Sequence, residues 1–511
     1  MLFWNVVTSA LELMAAAFVV VVGLGALAIA VMFIIDRMQG ADAVRRNYPV
    51  LGRFRHLFTE LGEFFRQYFF AMDREELPFN RAQRNWVSRA ASGKGNTIAF
   101  GSTRNLSAPG TPIFVNAAFP ALEEQNSPTA AMTIGPGCRT PYAAPSFFNI
   151  SAMSFGALSR PAVKALSRGA AEAGIWYNTG EGGLSDWHLE GGCDVVFQIG
   201  TAKYGVRDAA GRLSDDRLRA VAAEKQVRMF EIKLSQGAKP GKGGILPAEK
   251  VSAKIAEIRG IPVGEASISP NRHEDVGSVG ELLDLIARVR DVTGKPVGFK
   301  SVIGDIGWLK DLCQEVRARG PASAPDFITL DSGDGGTGAA PMPLMDLVGL
   351  TIRESLPMVA DLLRREGLGD RIRLIASGKL INPGDVAWAM ASGADFVVSA
   401  RGFMFSLGCI QALKCNRNTC PTGITTHDKH LQKGLVPREK YKNVAHYAKT
   451  IVKEVEMIAH SCGAPNARAL TRAHVRIVQD SGRTEAMTAL WPADRAQVAA
   501  EASDGGASAR S

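Results

Sequence analysis

Three cysteines, Cys409, Cys415 and Cys420, stand in a C-x5-C-x4-C pattern followed by Pro421. Thiolates are soft ligands that suit zinc or iron–sulfur clusters. Structural zinc takes four ligands, often from closely spaced cysteine pairs. No fourth ligand is obvious here, and His427 is a weak candidate. Three thiolates fit an iron–sulfur cluster with one vacant corner, such as [3Fe–4S]. A second set of residues joins cations to glycines. It comprises Asn178-Thr179-Gly180-Glu181-Gly182-Gly183, Lys233 to Gly241, Lys300, Asp331 to Gly338, Ser377-Gly378-Lys379 and Ala400-Arg401-Gly402. Glycine lets backbone N–H groups approach an anion closely, and lysine or arginine neutralises it.

These segments need elements to position them. Eight β-branched or aromatic runs occur at 147–154, 176–180, 195–200, 230–235, 297–303, 327–333, 373–378 and 396–400. Helical patterns lie between most of them, for example at 161–174, 281–293, 343–365 and 384–392. Strand–helix alternation predicts parallel strands joined by crossovers. Eight such units predict an α/β fold of the (β/α)8 TIM-barrel type, whose active site forms at the carboxyl ends of the strands. An open doubly wound sheet is the rival, but no G-x-G-x-x-G follows the first strand. In a barrel, every glycine-rich segment above falls at one end. Loops seven and eight of such barrels commonly hold a phosphate, a use that suits Gly378 and Gly402. A phosphate cup together with Lys300 on strand five suggests FMN, because a lysine beside the flavin ring stabilises its anionic reduced form. The cysteine pattern begins eight residues after Arg401. A cluster there would lie close to the flavin and pass single electrons to a two-electron centre.

The chain has 511 residues with 46% hydrophobic and 21% charged residues. That composition excludes a disordered chain, a collagen-like repeat and a disulfide scaffold. The net charge of +9 is mild for this length, and no dense basic stripe with interleaved aromatics points to nucleic acid. Cys138, Cys193, Cys313 and Cys462 are scattered and read as small core residues. Leu13 to Ile35 carries no charge over 23 residues, enough to span a hydrocarbon core. Five of the seven charges that follow, from Asp36 to Arg55, are Arg. The positive-inside rule then predicts a single-pass inner-membrane anchor with the rest of the chain in the cytoplasm. Phe54, Phe58, Leu61, Phe65 and Phe69 recur near a 3.6 period. They predict a helix over 51–70 that either lies in the membrane interface, with Arg53, Arg55 and Arg66 near headgroups, or packs on the following domain. The expected organisation is an anchor at 1–36, a juxtamembrane and wrapping segment at 37–130, the barrel with its cysteine loop at 131–430, and helices with a disordered tail at 431–511.

The stretches MSFGALSRPAVKAL, NTGEGG, KLSQGAKPGKGG, ISPNRHED, DGGTGAAP and GCIQALKCNRNTCPTGI occur in the order seen in one enzyme family. Over roughly 130–430 the chain resembles the FMN-binding synthase domain of glutamate synthase. The resemblance implies FMN, a [3Fe–4S] cluster, and condensation of ammonia with 2-oxoglutarate followed by reduction of 2-iminoglutarate to L-glutamate. It implies Cys409, Cys415 and Cys420 as cluster ligands. It also implies Ser154, Lys300, Gly335, Gly336, Gly378, Lys379, Arg401 and Gly402 around FMN. Lys233, Gln236, Lys239 and Arg259 would surround the oxo acid. Glu181 would guide ammonia or pair with one of these cations.

Departures from the family are informative. Its amidotransferase module and its carboxyl-terminal β-helix module have no counterpart here. Its Gly-Gly-Gln reads Gly243-Gly244-Ile245, which removes an amide near the substrate, and its ISPPPHHD reads ISPNRHED. No pyridine-nucleotide fingerprint appears, so a ferredoxin or separate flavoprotein is the expected electron donor. Three readings follow. The first is a membrane-anchored glutamate-synthase-like enzyme. The second is an FMN and iron–sulfur oxidoreductase acting on another amino or oxo acid and coupled to a membrane carrier. The third is an electron-transfer subunit of a membrane complex.

Overall fold

The computed structural model describes residues 2–39, 42–120 and 122–492. The expected disordered tail, which begins at Ala493, lies outside the described residues. The chain divides into two units, one ending at Ala82 and the other beginning at Gln83. The segment expected at 37–130 is shared between them.

In the first unit, α1 (Leu2–Met38) includes the whole uncharged stretch. The most apolar 18-residue window within Trp4–Met38 has a mean hydropathy of 3.0 and is not buried. A short α2 (Ala43–Asn47) is capped by the Asp42 carboxylate, and α3 (Leu51–Phe65) runs into a π-helical turn at Arg66–Phe70. Asp36 is fully buried. It accepts from Arg45 Nη2 at 2.7 Å, Arg53 Nε at 2.7 Å and the Val50 N–H at 3.0 Å. A buried carboxylate must be paired this way or it destabilises the fold. Arg53 is therefore engaged with Asp36 rather than free to meet headgroups. The predicted aromatic stripe is exposed at Phe54, Phe58, Leu61, Phe65 and Phe69.

The second unit holds a closed parallel barrel of eight strands. They are β1 (Phe148–Ile150), β2 (Tyr177–Asn178), β3 (Val195–Ile199), β4 (Val227–Lys233), β5 (Val297–Val302), β6 (Phe327–Asp331), β7 (Arg373–Ser377) and β8 (Phe396–Ser399). Each lies in one of the eight predicted runs, though β4 starts three residues earlier. Pairing of Val398 with Asn149 and of Ser399 with Ile150 closes the circle.

The strand period of two sorts the interior into layers. Trp176, Val196, Met229 and Phe327 form an apolar floor, which the hairpin of Met132–Ile134 and Tyr142–Ala144 plugs with Ile134 and Tyr142. Two residues further along each strand come Asn178, Gln198, Glu231 and Thr329. Glu231 is buried and accepts from Asn178 at 2.8 Å, Gln198 at 2.7 Å and Thr329 at 2.6 Å. Another two residues along come Lys233 and Asp331, joined at the same level by Lys300 and Ser377. Lys300 is the register partner of Lys233, and Asp331 that of Ser377.

The crossover helices obey ordinary capping rules. The helix Arg160–Ala173 starts on the Ser159 cap and ends at Gly174, whose φ is +67. Val279–Thr293 starts on Ser278 and ends at Gly294. The pattern expected at 343–365 is two helices, Met342–Leu347 and Ile352–Arg365. The break has a physical cause: Gly349 adopts φ +96, and Leu350 exchanges backbone bonds with Ile303 and Gly333. Helical geometry would forfeit those bonds. A long carboxyl-terminal helix, Pro437–Ser461, packs on Arg160–Ala173. Gly169 permits this contact, since a Cβ there would meet Val444 Cβ at 2.5 Å.

Candidate active site

A cleft enclosing about 1240 Å³ of space, part of it open to solvent, sits at the carboxyl end of the barrel. Ser154, Glu181, Lys233, Gln236, Lys239, Arg259, Lys300, Gly336, Gly378, Lys379, Arg401 and Cys415 all line it. Twelve of the sixteen residues singled out in the sequence therefore meet in one place.

Its first half is a buried cation cluster. Lys233, at the end of β4, donates to Glu181 Oε1 at 2.8 Å and to Gln236 Oε1 at 2.5 Å. Burial would raise the Glu181 carboxyl, but Lys233, then Lys239 and Arg259, hold it below the usual range. Lys239 is 4% exposed. Burial, helped by neighbouring Lys233, pushes its ammonium down to about 8. Arg259 is buried, donates to Ser267 Oγ at 3.0 Å and stacks over Tyr204 at 5.2 Å. Its Nε is buried without a partner. A buried N–H costs free energy unless something accepts from it. An unpaired ammonium and an unpaired guanidinium N–H in one cleft make a site for an anion, and arginine's fork suits a carboxylate. The loop Asp331–Gly338 closes this half, with Thr337 Oγ1 accepting from Gln236 Nε2 at 3.2 Å.

The second half lies over β5 to β8. Lys300 Nζ pairs with Asp331 Oδ2 at 3.1 Å, both nearly buried. Burial works against both charges. Asp331 nonetheless keeps Lys300 above its ordinary value, and Lys300 keeps Asp331 below. Gly378 has φ +118, and a Cβ there would meet Ser332 Cβ at 2.2 Å. At Gly336 a Cβ would meet Arg401 Nε at 2.7 Å. These glycines let loops six to eight close on the cleft beside Lys379, which pairs with Asp334 at 2.9 Å.

Four expected residues do not line the cleft. Gly402 lies against the long carboxyl-terminal helix: a Cβ there would meet Tyr447 Oη at 2.0 Å, and its N–H donates to Ser399 Oγ at 3.3 Å. Gly335 is spent likewise on a turn, its N–H donating to the Ser332 carbonyl at 2.8 Å. Cys409 and Cys420 lie behind Cys415 in the loop after β8, all three as free thiols. Among the described residues, no three His, Cys, Asp or Glu side chains converge on a single metal ion. The thiols do feel one another electrostatically. That loop bends sharply, with Gln411, Leu413 and Asn418 all at positive φ. His427 is turned away and held by the Gly156 carbonyl at 2.8 Å. Of the remaining cysteines, Cys193, Cys313 and Cys462 are buried and Cys138 is partly buried; burial pushes Cys138 and Cys193 up to about 12 and Cys313 to about 11.

Several site residues carried a signal that sequence reading passed over. Asp331, Thr337 and Ser377 stood inside the noted loops, and Glu231 is a carboxylate two positions before Lys233 in an apolar run. His273 was visible in ISPNRHED. Its Nε2 donates to the Lys233 carbonyl at 3.1 Å, and burial pushes it down to about 4, so it is neutral. Lys250 had no signal, since nothing in PAEK marks a lysine that folds under the cysteine loop. It is buried, donates to the Cys415 carbonyl at 2.6 Å, and burial lowers it to about 8.

Comparisons with known proteins show the family. The conserved region in glutamate synthase matches residues 116–465. The glutamate synthase large subunit-like protein YerD of Bacillus subtilis is 38% identical over 490 residues, covering 88% of this chain and 93% of the relative. The archaeal-type glutamate synthase [NADPH] of Thermotoga maritima is 36% identical over 315 residues, 61% of this chain. The chain spans 58% of that relative's length. Among solved structures, a mutant flavocytochrome b2 with benzoylformate aligns over 80% of this chain and 82% of its own, at 13% identity and a TM-score of 0.47. With a family match over most of its length and a relative that it covers almost end to end, the chain belongs to the glutamate synthase family.

Proposed function

We propose that the protein reductively aminates 2-oxoglutarate, or a closely related oxo acid, to the amino acid, with ammonia and electrons supplied by partners. The observation that carries this reading is the buried cation cluster of Lys233, Lys239 and Arg259 in the barrel cleft. FMN fits the second half of the cleft: Lys379 and Arg401 with Gly378 suit its phosphate, and Lys300 and Ser154 its ring. When bound there, FMN supplies the electron pair as hydride.

The protein's own side chains do the rest. Arg259, with its unpaired Nε, takes one carboxylate of the oxo acid, and Gln236 orients the other end. Lys239 Nζ, lowered to about 8, is placed to protonate the oxygen that leaves as water, since acid catalysis is most effective when pKa and pH are close. Glu181, kept ionised by Lys233, attracts and orients ammonium. Leu246 and Ile245 line the cleft and exclude water from the imine, which would otherwise hydrolyse. Cys409, Cys415 and Cys420 supply the three thiols that a [3Fe–4S] cluster would take, although among the described residues they do not converge as a metal site; Lys250 and Arg401 lie beside Cys415. A cluster there would deliver electrons singly from a ferredoxin or a separate flavoprotein. The exposed apolar α1 supports a membrane anchor, with the barrel on the cytoplasmic side.

The test is purified protein in detergent. Flavin bands with a broad iron–sulfur shoulder are expected, the shoulder being lost in Cys415→Ser. Turnover with dithionite, 2-oxoglutarate and ammonium should yield glutamate. A flavoprotein that makes no glutamate under any donor refutes the substrate. Ile245 favours a second reading, because an apolar side chain lines the cleft where the family carries an amide. A different amino or oxo acid would then exchange electrons with a membrane carrier. Flavin bleaching by that acid, and not by glutamate, would identify it.

A further inference from the structure

Arg259 reaches the cleft from the last residue of the helix Ala253–Arg259. Three residues that the proposed function does not use hold it there. Arg207 Nη2 donates to the Arg259 carbonyl at 3.1 Å and to the Gly260 carbonyl at 3.0 Å, so it satisfies two carbonyls that a helix end leaves without partners. The Tyr204 ring, 3% exposed, carries two guanidiniums, with Arg207 4.8 Å and Arg259 5.2 Å from its centroid. Arg259 Nη1 donates to Ser267 Oγ at 3.0 Å, and Ser267 Oγ donates in turn to Tyr204 Oη at 2.8 Å. Ser267 is itself fixed by pairing with Leu246 in the short hairpin that carries Ile245. The plane of the Arg259 guanidinium and one of its ends are therefore set. What remains is the edge formed by Nε and Nη2. Nε is buried without a partner. Nη2 lies beside Gly156 and Gly182, where a Cβ would come within 3.0 and 2.9 Å of it, so neither residue covers that edge with a side chain.

We infer that Tyr204 and Ser267 are positioning residues that aim the Nε–Nη2 edge of Arg259 at one carboxylate of the substrate. This rests on the assignment of Arg259 to the oxo acid in the proposed function. It adds how that carboxylate is held: side-on, by two parallel N–H donors. Such a pair needs the guanidinium and the carboxylate in one plane. A free arginine side chain would lose that alignment to its rotamer entropy. The Tyr204 ring sets the plane by stacking, and Ser267 sets the rotation within the plane by taking Nη1. Tyr204 Oη accepts the Ser267 hydroxyl proton, which leaves the Ser267 lone pairs free for Nη1. A lysine has no plane to set, so the ring and the hydroxyl matter only while Arg259 is present. A cation held against an aromatic ring away from water shifts an equilibrium by roughly 5- to 30-fold. Loss of an acceptor from a buried charged donor costs about tenfold or more.

The experiment is a double-mutant cycle read by calorimetry, with 2-oxoglutarate titrated into the full-length protein in detergent and thermal melts confirming that each variant folds. Ser267→Ala and Tyr204→Leu should each weaken binding about 5-fold or more. Ser267→Thr, which keeps the acceptor, should restore it. Tyr204→Phe, which keeps the ring, should lose less than Tyr204→Leu. Arg259→Lys should itself weaken binding, and in that background Ser267→Ala and Tyr204→Leu should add less than about 2-fold, because residues that act through one partner are not additive. A merely structural role would give the same loss in both backgrounds, and that result overturns the inference alone. Wild-type affinity in Ser267→Ala does the same, and Ser267→Ala decides the matter by itself if Tyr204→Leu does not fold. Protein with no affinity for 2-oxoglutarate, or Arg259→Lys that binds it as tightly as the wild type, overturns the inference together with the reading beneath it.

Discussion

Lys239 makes the binding of an oxo diacid depend on pH in a way that can be worked out beforehand. Its ammonium titrates at about 8 in the free protein, against 10.5 for an ordinary lysine. The cause is burial beside Lys233, not fully offset by Glu181. A carboxylate placed against Lys239 restores the charged form, so the bound complex titrates higher. The sign follows from linkage. Below about 8 the group is protonated in both states and affinity is flat. Between about 8 and 10.5 the free protein has lost the proton and the complex has kept it, so affinity falls with rising pH, at most tenfold per unit. If the ligand restores the ordinary value fully, the total loss is about 300-fold, or about 3 kcal/mol at ~1.36 kcal/mol per unit. The assay is calorimetry of 2-oxoglutarate binding in buffers of different ionisation enthalpy. Proton uptake should approach one per site near pH 9 and fall to about a tenth near pH 7. Lys239→Met should abolish the uptake at pH 9 and weaken binding at pH 7. Uptake that is missing at pH 9, or unchanged in Lys239→Met, refutes the reasoning.

The barrel interior makes further predictions. Glu231→Leu leaves the donors of Asn178, Gln198 and Thr329 without their acceptor, so urea unfolding should show a loss of ~3 kcal/mol or more, and Glu231→Gln a smaller one. Gly402→Ala drives a methyl into Tyr447 Oη and should cost ~1–3 kcal/mol by thermal melting. Tyr447→Phe in the same background should recover part of it, whereas a direct role of Gly402 at a phosphate would show no such rescue. Asp36→Asn removes the charge that holds Arg45 and Arg53. Proteolysis of detergent-solubilised protein should then cut faster between Met38 and Leu51.

The eight strands could be read from the sequence because a parallel barrel buries both faces of each strand, producing short β-branched or aromatic runs. The helix expected at 343–365 misled because its apolar pattern continues through Gly349, and only tertiary backbone pairing to Ile303 and Gly333 interrupts it. Glycine was read in one sense too few. Gly378 faces the cleft, and Gly402 also leaves room for Tyr447, a residue 45 positions away in sequence that no local pattern connects to it. Charges were legible as charges but not as pairs. Lys300 was noticed without Asp331, and Arg53 was read without its partner Asp36, which lies seventeen residues before it. Lys250 shows the limit most clearly: its position under the cysteine loop arises from the fold of the loop after β4, and its neighbours in sequence do not mark it.

One measurement tests the central claim most directly. Protein reduced anaerobically, freed of excess reductant and mixed with 2-oxoglutarate and 15N-ammonium should reoxidise in a single turnover. It should release one 15N-labelled L-glutamate per flavin, with Arg259→Met markedly slower. Protein that stays reduced and forms no labelled glutamate would contradict the account.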